Sequence, residues 1–321
     1  MASLTETAVA IRTLIANVQR VITGQDETVE AAAACLFAEG NLLLEGVPGV
    51  GKTMLARAMA VSLGGTFRRI QATPDLLPSD VTGVSIYDQD RREFRFVPGP
   101  IFANVVLVDE VNRTTPRTQS ALLEPMEERQ ATVEGTARPL PAPFFLVATQ
   151  NPVEHHGTYP LPEGQLDRFT LSVRIGYPDT AGAREIVTQQ MLRHPIEDLE
   201  PVLAPDEVLA HQENTRTVHV GDDVIDYVVA LVQSTRAHED VQLGASPRAA
   251  VAMTRVSQSL AAARGRDYVL PDDIKALAPA VLGHRLVLKG SRRMEDGAGR
   301  LIVRDLLERV PVPLGEQVPQ R

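Results

Sequence analysis

A chain of 321 residues, 44% hydrophobic and 23% charged, is long enough for two domains and a sizeable core. Its formal net charge of −9 and pI near 5.4 give no broad basic footprint for nucleic acid, and 4% aromatic residues without a tryptophan leave little to stack on bases. A single cysteine, Cys35, excludes an internal disulfide, and neither a secretory leader nor an apolar run of the roughly 20 residues a membrane span requires is present, so a cytoplasmic protein is expected.

Apolar residues recur at helical spacing from Leu4 to Val21, and a second helix over residues 26–38 follows the short VITGQ segment. Cys35 lies in the Ala-rich part of that second helix and reads as a small buried side chain. Five short apolar runs come next: NLLLE (41–45), FRRIQAT (67–73), NVVLVDE (104–110), FFLVATQ (144–150) and FTLSVRI (169–175). Strands alternating with helices predict an α/β fold with a five-stranded, mostly parallel, doubly wound sheet. Residues 85–100 and 129–144 interrupt the alternation and read as hairpins, either touching a substrate or forming plain surface. Beyond Pro178 the pattern is helical, with Ser-Pro, Pro-Asp and Asp-Asp starts. The expected organisation is an α/β core over 1–178, a smaller all-α domain over 179–288, and a turn-rich tail over 289–321 around one short helix.

Gly46, Val47, Pro48, Gly49, Val50, Gly51, Lys52 and Thr53 spell GVPGVGKT between the first apolar strand and a helical pattern. This is a phosphate-binding loop: glycines let backbone N–H groups converge on phosphate oxygens, and the helix adds its positive N-terminal end. Lys52 is placed to reach the outer phosphates of ATP, and the Thr53 hydroxyl stands where Mg2+ would bridge them. NVVLVDE ends in two acids: Asp109 is the expected Mg2+ residue, and Glu110 the group that polarises the attacking water. In a parallel sheet these strand ends share one edge with Asn151, which follows the fourth strand. Arg248 follows a Ser-Pro helix start that can aim it towards a bound nucleotide, but Arg168 and Arg248, taken singly, read first as structural ion-pair residues. Glu154 with His155 and His156 lacks a spaced third ligand and is not read as a metal site. Asp222-Asp223 and Asp272-Asp273 sit at helix starts, where acids favour the helix dipole.

Taken in order, GVPGVGKT, VVLVDE, ATQNP, PLPEGQLDRF and GASPR resemble the AAA+ ATPases, and DEVNRTTPRTQSALLEPMEERQATVEG with NPVEHHGTYPLPEGQLDRF resembles their MoxR subfamily. That resemblance spans nearly the whole chain. It implies that Asn151 is the sensor-one residue, Arg168 an arginine finger given to a neighbouring subunit, and Arg248 the sensor-two arginine of a helical lid. It also implies that nucleotide lies between core and lid, with the adenine near Val21, Ile22, Gly24 and Gln25. A finger supplied in trans implies a homo-oligomeric ring, usually a hexamer. Arg113 and Arg117 then face either a neighbour or solvent. The implied work is chaperone-like remodelling, maturation or activation of partner proteins, with a protein carrying a von Willebrand factor A domain as the expected partner. The alternatives are a metal-chelatase-like ATPase subunit, an AAA+ motor on nucleic acid, which the acidic balance disfavours, and a nucleotide-binding scaffold without turnover.

Overall fold

The computed structural model describes residues 3–151, 158–191, 193–290 and 297–312. Glu154, His155 and His156, part of the 289–296 segment and the last residues of the tail lie outside them. The first helix, α1 (Leu4–Gln19), opens on a capping box in which the Glu6 N–H donates to Ser3 Oγ (3.2 Å) and the Ser3 N–H to Glu6 Oε2 (2.6 Å). It ends two residues earlier than its apolar spacing predicts, and Gly24 at φ +71° then turns the chain into α2 (Asp26–Phe37). Next come β1 (Leu42–Glu45), α3 (Lys52–Ser62), β2 (Phe67–Gln71), α4 (Pro78–Thr82) and the hairpin β3 (Gly83–Asp88) and β4 (Glu93–Pro98). β5 (Val105–Asp109) leads to α5 (Pro116–Ser120), α6 (Leu123–Glu128) and a second hairpin, β6 (Gln130–Val133) and β7 (Thr136–Pro139). β8 (Phe145–Gln150), α7 (Glu163–Leu166) and β9 (Leu171–Arg174) complete the α/β part.

β2, β5, β8, β1 and β9 form, in that order, one five-stranded parallel sheet. The sheet reading is therefore correct in strand number and direction. The three inner strands carry LLL, VVLV and FLVA with every one of these residues buried, because helices cover both faces. The expected hairpins form as β3–β4 and β6–β7. They touch each other: the Arg138 guanidinium lies 3.9 Å from the centroid of the Phe96 ring. Ile86, Tyr87 and Phe94 of the first hairpin are about half exposed or more.

The remaining helices are α8 (Thr180–Gln190), α9 (Pro205–Thr215), α10 (Asp222–Ala237), α11 (Pro247–Ala263) and α12 (Pro271–Leu282), with two short strands, β10 (Val241–Leu243) and β11 (Val287–Leu288), pairing antiparallel. The sequence pattern gives no sign of these strands, which are too short for an alternation. α9 and α11 pack on α1 and α2, so one apolar cluster joins Ile11, Leu14, Ala33 and Phe37 to Val208, Val256 and Leu260. Polar groups fasten the same layer: the Gln212 amide donates to Leu36 O (2.7 Å), and Thr7 Oγ1 meets His211 Nδ1 at 3.0 Å. Burial lowers the pKa of His211, keeping it neutral in that contact.

The helix expected within a turn-rich tail is α13 (Ala298–Arg309), which buries Ala298, Ile302, Val303 and Leu306 against the helical layer. Arg300 carries it to the sheet: its guanidinium pairs with Glu45 Oε2 (3.1 Å) and donates to Ser172 Oγ (2.9 Å), while the Ser172 hydroxyl donates to Glu45 Oε1 (2.7 Å). Arg300→Ala leaves Glu45 partly buried without its cation. The expected cost is about 1–3 kcal/mol, read as a lower midpoint in urea unfolding, and an unchanged midpoint would show that the contact contributes nothing.

Candidate active site

Parallel register sets the site. The carboxyl ends of β1, β8 and β5 fall on one edge of the sheet, and Asp109 stands opposite Gln71 of β2. The phosphate loop springs from β1 at that edge, where the Gly46 N–H donates to Gln150 O at the end of β8 (3.2 Å). Gly46 has no room for a side chain, since a Cβ there would meet Ile175 O at 2.4 Å. Gly49 and Gly51 adopt φ of +84° and +93°, which glycine reaches without steric cost, and Gly51 caps α3 from that conformation. Lys52 is buried and its ammonium donates to Gly46 O, folding the side chain back along the loop.

Beside the loop opens a cleft of about 740 Å3, within the roughly 300–1,000 Å3 typical of small-molecule sites. Pro48, Gly49, Val50, Gly51, Lys52, Thr53, Asp109 and Glu110 line it, as does Val21 with Ile22 and Gln25. The sequence-derived loop, acid pair and three of the four adenine-side residues thus converge on one space. Pro178, Ala183, Ile186, Val187 and His194 form its other wall. Gly24, Gly46 and Val47 shape the backbone without lining the cleft. Asn151 is buried just beyond β8 and is likewise absent from the lining.

The two acids are held differently. The Thr149 hydroxyl donates to Asp109 Oδ1 (2.6 Å) and accepts the Glu110 N–H (2.8 Å), so one residue of β8 orients both. Glu110 sits at φ 58°, ψ 49°, a left-handed conformation that costs a non-glycine residue of order 1–3 kcal/mol. Its carboxylate pairs with Arg113 Nε (3.1 Å) and accepts from the Gln71 amide (3.3 Å). Arg69, from the same face of β2, places its guanidinium 2.6 Å from Asp109 Oδ2 and donates to Gln71 Oε1 (2.6 Å). Sequence reading missed Arg69, Gln71 and Thr149. The period of two along β2 marks Arg69 and Gln71 as a same-face pair at a parallel strand's carboxyl end, which was the available signal.

ATP and Mg2+ suit this donor set. Gly49, Gly51 and Lys52 of the loop line the cleft, and Thr53 with Asp109 offers hard oxygen ligands. Among the described residues no group of three or more His, Cys, Asp or Glu is placed to hold a metal ion by itself. Arg69 is then a competitor of the cation for Asp109. Arg69→Gln is expected to lower the Mg2+ concentration for half-maximal binding of a fluorescent ATP analogue by about two- to fivefold, the scale of a half-exposed ion pair. An unchanged Mg2+ dependence would remove that competition.

Arg168 and Arg248 lie outside the cleft. Both turn to Glu127 of α6: Arg168 Nε stands 3.1 Å from Oε2, and Arg248 NH2 2.6 Å from Oε1. Arg248 thus stands on Glu127, away from the cleft of its own subunit. α11 starts beside α7, where Ser246 Oγ donates to Asp167 Oδ2 (2.9 Å), and this fixes Arg248 next to Arg168 instead.

Residues 41–171 match the family model described as the ATPase family associated with various cellular activities (AAA), and residues 233–306 match the AAA lid domain. The chain is 50% identical over 300 residues to YeaC of Bacillus subtilis, itself uncharacterised, covering 94% of each chain. It is 42% identical over 316 residues to the chaperone MoxR1 of Mycobacterium tuberculosis, covering 96% of this chain and 83% of that one. A crystal structure from Cytophaga hutchinsonii, provisionally described as an ATPase, superposes with a TM-score of 0.87 at 36% identity over 97% of both chains.

Proposed function

The chain belongs to the MoxR family of AAA+ ATPases, and on that premise we propose that it hydrolyses Mg2+-ATP in a homo-oligomeric ring to remodel, mature or activate partner proteins. The observation that carries the reading is the convergence of Lys52, Thr53, Asp109 and Glu110 on one cleft of nucleotide size. Lys52 and the loop amides hold the phosphates. Thr53 and Asp109 would hold Mg2+, which supplies neutralisation of the charge that develops on the phosphate oxygens. Val21, Ile22, Pro178 and Ile186 give apolar walls for a base, and Gln25 a polar edge. Glu110, fixed in direction by Thr149 and its own backbone, polarises water towards the terminal phosphate.

Nothing among the described residues of this cleft supplies the arginine that phosphoryl transfer uses except Arg69, which is engaged with Asp109. Arg168 and Arg248, paired away from their own cleft, serve a neighbour's. Tyr177, Val187 and Met191, exposed by 77%, 65% and 76%, with Val187 lining the cleft, are apolar surface that a second subunit would cover. A hexamer and a von Willebrand factor A domain partner follow from the family resemblance. The exposed Ile86, Tyr87 and Phe94 favour a contact role for the first hairpin over plain surface. Phosphate release from ATP in Mg2+, followed against protein concentration with oligomer mass in the same samples, tests the reading. Specific activity that rises with assembly supports it, and no release from any oligomer overturns it.

A further inference from the structure

Glu127 is engaged on both carboxylate oxygens by cations from two different parts of the fold. Arg168 belongs to the α/β part, just after α7, whereas Arg248 lies in the first turn of α11. The Arg168 contact uses Nε, whose N–H is not aligned on Oε2, so it is electrostatic attraction more than a directed hydrogen bond. A second hold comes from the backbone, Arg168 NH1 donating to Gly164 O. Arg248 contributes NH2. Arg168 is thus held through Nε and NH1 and Arg248 through NH2, and the remaining N–H groups are those that can meet an anion.

The surroundings set the charge balance. Asp167, adjacent in sequence, accepts from Ser246 and pairs with Arg285 Nε (3.0 Å), which is buried. Burial, helped in small part by nearby Arg248, brings the Arg285 pKa down to about 10 against the pull of Asp167. Arg168, Arg248 and Arg285 therefore share two carboxylates, Glu127 and Asp167, and the group carries one uncompensated positive charge. Without Glu127 the excess would be two, and the repulsion would drive the long side chains of Arg168 and Arg248 apart. A phosphate from outside the subunit is the partner that such an excess suits.

We propose that Glu127 is a positioning residue that presets Arg168 and Arg248 as a pair for the nucleotide of the neighbouring subunit. This rests on the ring-ATPase reading above. Glu127 acts through the arginines and touches no substrate. Its side chain, like those of both arginines, is partly exposed, so Glu127→Gln is tolerated by the fold.

The test is steady-state turnover of the assembled full chain for wild type, Glu127→Gln, Glu127→Asp, Arg168→Ala and the Glu127→Gln, Arg168→Ala double variant. Glu127→Gln is expected to lower kcat about tenfold or more with KM for ATP within about twofold, since an interaction made only in the transition state is weakened. Glu127→Asp, which keeps the charge, should recover part of the loss. In the Arg168→Ala background, Glu127→Gln should add less than about a twofold further decrease, because its effect runs through that arginine. Wild-type kcat in Glu127→Gln beside an impaired Arg168→Ala overturns the assignment of Glu127 alone, as do losses that multiply in the double variant. Full turnover in Arg168→Ala removes the ring reading itself.

Discussion

Glu110→Gln leaves nucleotide binding intact and lowers ATP turnover by about 10²–10⁴-fold, the usual contribution of a positioned general base. The substitution keeps the shape of the side chain and one oxygen, so the Gln71 and Arg113 contacts lose charge without losing volume. The left-handed backbone at residue 110 is tied down independently, through the N–H that donates to Thr149. Glutamine at this position therefore faces the cleft from the same place but no longer withdraws a proton from water. Equilibrium binding of a fluorescent ATP analogue should give a dissociation constant close to wild type in Mg2+, while phosphate release falls towards background. Turnover equal to wild type would take Glu110 out of its role. Loss of binding as well as turnover would mean that Glu110 supports the pocket instead. A scaffold that binds nucleotide without hydrolysis would show no difference between the two proteins, because neither turns over.

The elements legible in the sequence are those whose patterns are set locally. VVLVDE reads as a buried strand ending in acids because its four apolar residues are covered on both faces and its polar end meets the open edge. The phosphate loop is equally plain, since its glycines answer a backbone requirement that no other residue meets. What was hidden depends on distant partners. β2 is an edge strand with Arg68, Arg69 and Gln71 exposed, and its period of two puts Arg69 and Gln71 on one face without naming Asp109, 40 residues on, as the partner of Arg69. The clustering of α9 with α1 and α2 depends on contacts such as Gln212 to Leu36, separated by 176 residues. The direction of Arg248 was hidden for the same reason. Ser246 and Asp167 decide it, 79 residues apart, and no periodicity reports that pairing.

Arg168→Ala lowers turnover of the assembled protein by about 10³–10⁵-fold, the range an arginine finger contributes in phosphate-loop enzymes, with little change in nucleotide affinity. The separation of binding from turnover follows from position. Arg168 lies outside its own cleft, so removing it takes no contact from a nucleotide bound there before assembly. Its partners are surface-type groups, the partly exposed Glu127 and the Gly164 carbonyl, and their loss costs on the order of 1 kcal/mol of stability or less. Assembly should persist, because the exposed apolar surface of Tyr177, Val187 and Met191 is untouched. Mixing provides the decisive measurement. Arg168→Ala subunits keep an intact Glu110, and Glu110→Gln subunits keep an intact Arg168, so a mixed ring contains interfaces where a whole cleft meets a whole finger. Turnover that reappears on mixing two inactive proteins places Arg168 in trans. If the mixture stays inactive while its mass shows co-assembly, the arginine acts within its own chain or elsewhere, and the cleft must obtain its positive charge from Arg69 released by Asp109.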